Sequence, residues 1–153
     1  MVYTSDYPVF WVTVDIAVFT IVGDDLSVLL IRRRGEPDAG RLALPGGFVD
    51  PEEDLAEAAR RELAEETGVS DVVLERWVWY GAPHRDPRGR VVSVAHLAVL
   101  PAAVSARAGD DAAEAGWVPV ADVLGPGATE VVAFDRAPVL ADALERVRAK
   151  LEY

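Results

Sequence analysis

The sequence contains no cysteine. This absence excludes disulfide bonds, thiol nucleophiles and cysteine-based zinc sites. Histidine is almost as scarce, and His84 and His96 do not have the spacing of metal ligands. We predict that His84 is a loop residue and that His96 packs inside a strand. Acidic side chains are therefore the first candidates for a functional site.

Positive charge is also in short supply. The chain has 15 Lys and Arg against 26 Asp and Glu, for a net charge of −11. Nonspecific nucleic-acid binding depends on neutralising phosphates with Lys and Arg, so this balance disfavours it. We expect no nucleic-acid partner.

No apolar run is long enough to cross a bilayer. The longest candidate, residues 9–22, carries Asp15 and falls short of the required length. A basic leader with an apolar core and a cleavage site is not evident either. We therefore expect a cytoplasmic protein with no membrane partner, folded as one domain over residues 1–153.

The strongest positive feature is a group of glutamates. Glu62, Glu65 and Glu66 stand at i, i+3 and i+4, so they project from one side of a helix. Like charges at these spacings destabilise a helix unless a cation joins them. Glu62 and Glu66 also border the predicted apolar stripe of the helix, which favours a site at the edge of the core. This pattern predicts a magnesium or manganese site, because both ions prefer oxygen ligands.

The helix has its own start and stop signals. Asp50 is a good N-cap, Pro51 suits the first helical position and Glu53 can complete a capping box. Gly68 provides a permissive end. We predict a helix from about residue 51 to residue 66 or 67.

A plain surface helix is the alternative, with Arg61 pairing with Glu57 and Glu65. The complete spacing argues against it. The constrained positions are Gly47, Glu53, Arg61, Glu62, Leu63, Glu65, Glu66, Gly68 and Val69. This pattern, Gly-x5-Glu-x7-Arg-Glu-U-x-Glu-Glu-x-Gly-U with U an aliphatic residue, resembles the box of the Nudix hydrolases.

The resemblance implies an α/β fold, the Nudix α/β/α sandwich with a mixed sheet between helices, and a Nudix box at residues 47–69. It implies metal-dependent hydrolysis of a nucleoside diphosphate linked to another group, with Mg²⁺ or Mn²⁺ as cofactor. The metal ligands would be Glu62, Glu65 and Glu66, with Glu53 as a ligand or support. Arg61 would orient these glutamates.

The periodicity of the remaining chain is consistent with such a fold. A second helix is predicted from about residue 134. Strands are predicted at residues 9–22, 26–33, 42–44, 72–80, 91–100 and 117–120. Gly46 and Gly47 must form a tight turn ahead of the box helix, next to the substrate.

The general base is open at this point. It is either a glutamate of the box or a residue of a loop, as in some members of the family. Glu114 is the loop candidate, at the end of the acidic segment 109–111. A solvated acidic loop is the competing interpretation.

The substrate class rests on weaker marks. Residues 85–90, Arg-Asp-Pro-Arg-Gly-Arg, resemble the ADP-ribose pyrophosphatase branch. Residues 134–136, Phe-Asp-Arg, resemble a family Phe-Asp-His, and Leu42 replaces a frequent tryptophan. ADP-ribose would give AMP and ribose 5-phosphate. Nucleoside triphosphates, dinucleoside polyphosphates and nucleotide sugars are the alternatives.

Several residues are candidates for substrate contacts. Arg33 and Arg85 could bind phosphates, and their alternative role is surface ion pairing. Trp79 and Tyr80 could stack on adenine, although strand aromatics more often pack in a core.

A sensor that binds ADP-ribose without hydrolysis is the alternative of a different class. Such regulators carry a C-terminal winged-helix module and tend to have eroded boxes, whereas this chain ends at Tyr153 and has an intact box. We therefore expect an enzyme, and by resemblance a homodimer in which Trp11 could contribute to the interface.

Overall fold

A computed structural model describes residues 4–36, 38–109, 112–128, 132 and 137–151. Within these residues the chain forms a seven-stranded sheet and two α-helices. The strands are β1 Trp11–Val22, β2 Asp25–Arg33, β3 Leu42–Ala43, β4 Gly46–Phe48, β5 Glu75–Tyr80, β6 Val91–Val99 and β7 Ala112–Pro119. The helices are α1 Leu55–Thr67 and α2 Ala137–Leu151, with a 3-10 helix at Val120–Asp122.

The sheet is mixed. Its central path is β3-β2-β1-β6-β5, with β4 added to β1 and β7 added to β2. β1 and β6 run parallel, and the other pairs are antiparallel. β1 pairs with β2 through residues 19–22 but with β4 through residues 13–15. One end of β1 therefore holds the segment that leads into α1.

The two helices cover opposite faces of the sheet. Ala58, Ala59 and Leu63 of α1 pack on one face in a cluster with Val14 and Leu29. The apolar residues of α2 pack on the other face; this cluster includes Leu140, Leu144, Val147, Phe19, Leu30 and Leu97. The sheet thus lies between two helical layers, which confirms the predicted α/β/α sandwich. Neither described helix has the length and apolar character needed to cross a membrane.

Helix α1 begins later than predicted. Its N-cap is Asp54, whose side chain accepts from the Leu55 amide at 2.7 Å. Residues 50–53 instead form a turn, in which the Asp50 amide donates to Glu53 Oε1 at 3.1 Å. The prediction of a start at residue 51 was wrong because the capping signals at Asp50 and Glu53 stabilise this turn instead. The predicted end at Gly68 is confirmed, with a left-handed φ of 72°.

Two strand predictions need correction. The strand predicted at residues 117–120 is β7, which begins at Ala112, because residues 112–119 pair with the long strand β2. The strand predicted from residue 72 begins at Glu75, because Val72 and Leu74 pack against the α1 cluster. β4 was missed, since two glycines in three residues give no strand signal. The other predicted strands agree within two residues. Residues 134–136 lie outside the described part of the chain.

Candidate metal and phosphate site

Helix α1 carries the glutamates to the edge of the core. Its apolar stripe packs on the sheet, and Glu62 and Glu66 flank that stripe. The Glu62 side chain is 14% exposed and Glu66 is 7% exposed, whereas the Glu65 side chain is 42% exposed. The predicted position of Glu62 and Glu66 beside the buried stripe is confirmed.

Gly46 and Gly47, which we call the glycine cradle, contact Glu66 and Glu62. The Gly46 amide donates to Glu66 Oε1 at 2.7 Å. A Cβ at Gly46 would lie 2.1 Å from the Val14 carbonyl oxygen, and a Cβ at Gly47 would lie 2.6 Å from Glu62 Oε1. Only glycine lets β4 approach both β1 and the glutamates this closely. The cradle lies in a short strand; we had expected a tight turn there.

Arg61 lies at the centre of the carboxylates. Its Nε donates to Glu53 Oε2 at 2.6 Å and its Nη2 to Glu53 Oε1 at 2.8 Å. Its Nη1 donates to Glu62 Oε1 at 2.8 Å and to Glu65 Oε2 at 3.2 Å. Nη2 also reaches the Phe48 carbonyl oxygen at 3.1 Å. A guanidinium can hold several carboxylates at once because its donors form a planar fork.

The pKa values of Glu53 and Glu62 are shifted in opposite directions. The hydrogen bond from Arg61 lowers the pKa of Glu53. Burial raises the pKa of Glu62, and its contact with Arg61 opposes this rise only in part. Glu62 is thus a partly buried carboxylate whose charged form is disfavoured by its surroundings, despite the contact with Arg61.

The structure places Glu114 away from these glutamates. It lies in β7 opposite Arg32, and Arg32 Nε is 3.4 Å from Glu114 Oε2. Arg32 shares the α2 face of the sheet with Leu30, because side chains alternate along β2. The prediction of a loop position was wrong, because pairing with β2 extends β7 across Glu114. Glu114 and the glutamates of α1 therefore lie on opposite faces.

The predicted substrate contacts fall into two groups. Arg33, at the end of β2, lines a cavity of about 50 Å³ together with the glycine cradle. Trp79, Tyr80 and Arg85 line a separate cavity of about 380 Å³ against the start of α2. Tyr80 donates to Asp142 Oδ2 at 2.8 Å, and Trp79 is exposed. Only the first group adjoins the box.

The sequence profile of the NUDIX domain matches residues 11–142. The chain belongs to the Nudix family. The matched region contains Glu53, Glu62, Glu65 and Glu66 of the box, the glycine cradle and Arg61.

Relatives of known structure or name agree with this assignment. The ADPR responsive transcriptional repressor NtrR of Acinetobacter baylyi is 36% identical over 97% of this chain. The chain spans only 59% of the length of that repressor. The ADP-ribose pyrophosphatase of Methanocaldococcus jannaschii is 37% identical over 83% of this chain and 71% of the enzyme.

A solved structure shares the fold closely. The NUDIX domain of Shewanella oneidensis NrtR, complexed with ADP ribose, has a TM-score of 0.84 and 33% identity. The match covers 92% of this chain and 90% of that domain. The recognition of the family and the prediction of its fold are therefore confirmed.

The donor set of the Nudix box fits a divalent cation in its chemistry. Glu62, which is partly buried, and Glu66, which is buried, offer carboxylate oxygens one helical turn apart, and Glu53 and Glu65 contact Arg61 beside Glu62. Among the described residues no three acidic or histidine side chains converge on one point. Glu53, Glu62 and Glu65 instead accept hydrogen bonds from the guanidinium of Arg61.

Sequence reasoning missed other polar residues near the Nudix box. Thr13 and Asp15 are buried and line the same small cavity as Arg33. Ser93 donates a short hydrogen bond to Asp15. Arg88 also lines this cavity, although it follows the box by many residues. A usable signal was present, because polar residues inside the apolar run 9–22 call for a partner.

Proposed function

We propose that this Nudix protein is a metal-dependent pyrophosphohydrolase that cleaves a nucleoside diphosphate linked to another group. ADP-ribose is the first substrate choice, with AMP and ribose 5-phosphate as products. The observation that carries the proposal is the complete Nudix box, whose Glu66 is bonded to the Gly46 amide and whose Glu62 packs on Gly47.

The residues of the box have distinct proposed roles. Glu62, Glu65 and Glu66 hold Mg²⁺ or Mn²⁺, with Glu53 as a ligand or support. Arg61 positions the glutamates through its hydrogen bonds to Glu53, Glu62 and Glu65. When bound, the metal polarises phosphoryl oxygens and lowers the pKa of water.

In-line displacement at phosphorus depends mainly on positioning and charge neutralisation, so no covalent nucleophile is needed. A glutamate of the box is the proposed general base. Glu114 receives no role here, because it lies on the opposite face of the sheet.

The choice of ADP-ribose is supported by the relatives. The M. jannaschii relative is named an ADP-ribose pyrophosphatase, and the S. oneidensis domain was crystallised with ADP ribose. Arg33 lines the cavity beside the glycine cradle and is proposed as a contact to the pyrophosphate. Trp79, Tyr80 and Arg85 are proposed as lower-ranked contacts around their own cavity.

A substrate panel tests the proposal. ADP-ribose, NADH, dinucleoside polyphosphates and nucleoside triphosphates are each incubated with Mg²⁺ and with Mn²⁺, and product nucleotides are quantified. We expect ADP-ribose to be hydrolysed with the highest kcat/KM. Hydrolysis of triphosphates but not of ADP-ribose would replace the substrate and retain the reaction class.

A matched pair of variants tests the site. Glu66→Gln removes one charged oxygen at the glycine cradle, whereas Glu57→Gln removes the same charge from an exposed position of α1. We expect Glu66→Gln to abolish metal-dependent hydrolysis and Glu57→Gln to retain it. A folded Glu66→Gln protein with full activity would refute the assignment.

An ADP-ribose sensor is the second candidate function. The similarity to the A. baylyi repressor over 97% of the chain favours it. A sensor would bind ADP-ribose with no turnover in either metal, whereas the enzyme would release AMP. Calorimetry and AMP release measured on the same sample separate the two.

We also propose a cytoplasmic homodimer. Phe10, Trp11 and Phe48 are large apolar residues that stay exposed in one protomer, and the rings of Trp11 and Phe48 are in edge contact at 6.0 Å. A second copy of the chain would cover them. Light scattering that gives only a monomer mass at micromolar concentration would contradict the dimer.

A further inference from the structure

The loop between β5 and β6 is built around one buried carboxylate. The Asp86 side chain is 0% exposed and holds Arg88 through its backbone and its side chain. Asp86 Oδ1 accepts from Arg88 N at 2.9 Å and from Arg88 Nε at 3.0 Å, and Oδ2 accepts from Arg88 Nη2 at 2.8 Å. These bonds determine both the turn of the loop and the plane of the guanidinium.

Aromatic contacts hold the same arginine from the other side. The guanidinium of Arg88 lies over the Phe48 ring, 4.9 Å from its centroid. Gly89 has a φ of 153°, and a Cβ at this position would lie 3.1 Å from the Trp11 ring. The loop therefore packs tightly on Trp11 and Phe48. The side chain of Arg88 is therefore held beside Phe48, the residue that follows the glycine cradle and ends β4.

Arg88 forms part of the wall of the small cavity beside the cradle. Thr13, Asp15, Arg33, Gly46 and Gly47 also line this cavity of about 50 Å³. Within the described part of the chain, Thr13 Oγ1 is a buried atom that has no hydrogen-bond partner. Buried polar groups are nearly always paired, so this hydroxyl indicates a missing polar partner.

The contents of the cavity can be inferred from its size and its donors. A volume of about 50 Å³ has room for a few ligand oxygens. Arg33 and Arg88 border it together with Thr13, so the cavity is lined by guanidinium groups and by a hydroxyl that has no partner among the described residues. Asp86 balances the charge of Arg88. Phosphate oxygens accept hydrogen bonds from both kinds of donor.

We propose that Arg88 is a substrate-binding residue that contacts a pyrophosphate oxygen, with Thr13 and Arg33 as its neighbours in the subsite. Asp86 is a positioning residue that acts through Arg88. The proposal rests on the proposed function, because it assigns a contact to the nucleoside diphosphate substrate. Pre-alignment by Asp86 and Phe48 reduces the entropy that Arg88 loses on binding.

The competing explanation is that Arg88 only braces the loop on Phe48. Binding and stability measurements separate the two roles. A brace would change the melting temperature and leave ligand affinity unchanged once the protein is folded. A ligand contact would change affinity in proportion to the charge and shape of the side chain at position 88.

The experiment uses calorimetry with Mg²⁺ and the α,β-methylene analogue of ADP-ribose, which cannot be hydrolysed at that bridge. We expect Arg88→Ala to weaken binding about 10- to 100-fold, as loss of a charged hydrogen bond does. Arg88→Lys should lie between this variant and the wild type, because it retains the charge and loses the planar fork. Arg148→Ala, an exposed charge-matched control on α2, should bind as the wild type does.

A double variant tests the role of Asp86. Asp86→Asn should weaken binding by itself, and Asp86→Asn combined with Arg88→Ala should bind no worse than Arg88→Ala alone. Added guanidinium ion should restore part of the affinity of Arg88→Ala. If the Ala variant does not fold, Arg88→Lys provides the same comparison. Additive losses in the double variant would show that Asp86 does not act through Arg88.

The outcomes distinguish this proposal from the proposed reaction. Equal affinity of the wild type and folded Arg88 variants, including no measurable binding by either, overturns the subsite whatever the hydrolysis assay gives. Binding that depends on Arg88 without hydrolysis of ADP-ribose retains the subsite and rejects the reaction.

Discussion

The glycine cradle allows one substitution to be made at two adjacent positions with different expected effects. Gly46→Ala and Gly47→Ala each add one methyl group to β4. At position 46 the new Cβ would meet the Val14 carbonyl oxygen at 2.1 Å, and at position 47 it would meet Glu62 Oε1 at 2.6 Å. The first obstacle is backbone and the second is the end of a side chain.

The size of each overlap sets the expected result. Nonbonded carbon contacts have their optimum near 3.5–4.0 Å, so the Glu62 carboxylate must move by roughly 1 Å in Gly47→Ala. A side chain can make this shift at small cost to stability. A misplacement of roughly 1 Å at a reacting centre can reduce the rate about 100-fold, so kcat/KM should fall by about that factor.

Gly46→Ala should act on the fold instead. The Val14 carbonyl belongs to β1, which is paired with β4 and β6 and cannot shift alone. Forced overpacking of this kind costs about 1–3 kcal/mol of unfolding free energy, and the shift would also stretch the bond from the Gly46 amide to Glu66. Both stability and activity should fall.

Urea unfolding and hydrolysis of ADP-ribose with Mg²⁺ are measured on both variants. Gly116→Ala is the control, because a Cβ at this strand position has no neighbour within 4 Å. A Gly47→Ala protein with wild-type kcat/KM would refute the reasoning, since Glu62 would then not need its place on the cradle. A Gly46→Ala protein as stable as the control would refute the assigned clash.

Three further predictions concern other parts of the molecule. Arg61→Lys should lower kcat/KM about 10- to 100-fold, because one ammonium cannot replace a fork that holds several carboxylates; a magnesium titration showing unchanged activity would contradict this. Burial lowers the pKa of His96, so the folded state favours the neutral imidazole. The free energy of unfolding is therefore at its full value above the unfolded pKa of about 6.5, and it falls as the pH drops towards the folded pKa. In urea unfolding, the His96→Leu variant should therefore lose less free energy of unfolding between pH 7 and pH 5 than the wild type, while a variant at an exposed position, His84→Asn, should behave as the wild type. The same loss in all three proteins would refute the role of His96. Tyr80→Phe removes the bond to Asp142 and should cost about 0.5–1.5 kcal/mol in the same assay, and no loss would show that this bond adds nothing to the packing of β5 on α2.

Predictions were more accurate for features that neighbouring residues decide than for features that distant residues decide. Local rules located the end of α1 at Gly68 and placed Glu62 and Glu66 beside the buried stripe. The same rules misplaced the start of α1, because the signals at Asp50 and Glu53 fit a turn as well as a helix. Residues within one or two turns of each other decide such features, and the outcome depends on which local contact is stronger.

Predictions that depended on distant pairing were less successful. Glu114 was expected in an acidic loop, yet pairing with β2 places it in β7 opposite Arg32. β4 gave no signal, since its glycines have no side chains to show alternation. It pairs with residues 13–15 of β1 on the edge opposite β6, where β2 does not reach. Neither partner strand is close in sequence.

The amino-acid sequence alone determined that a set of carboxylates shares one side of a helix with an arginine, because helical periodicity is a property of neighbouring residues. Only the tertiary structure decided what those carboxylates contact. The Gly46 amide donates to Glu66, and the Arg88 guanidinium lies over the Phe48 ring. Both contacts form because strand pairing brings distant backbone segments to the same end of β1. No local pattern encodes these contacts.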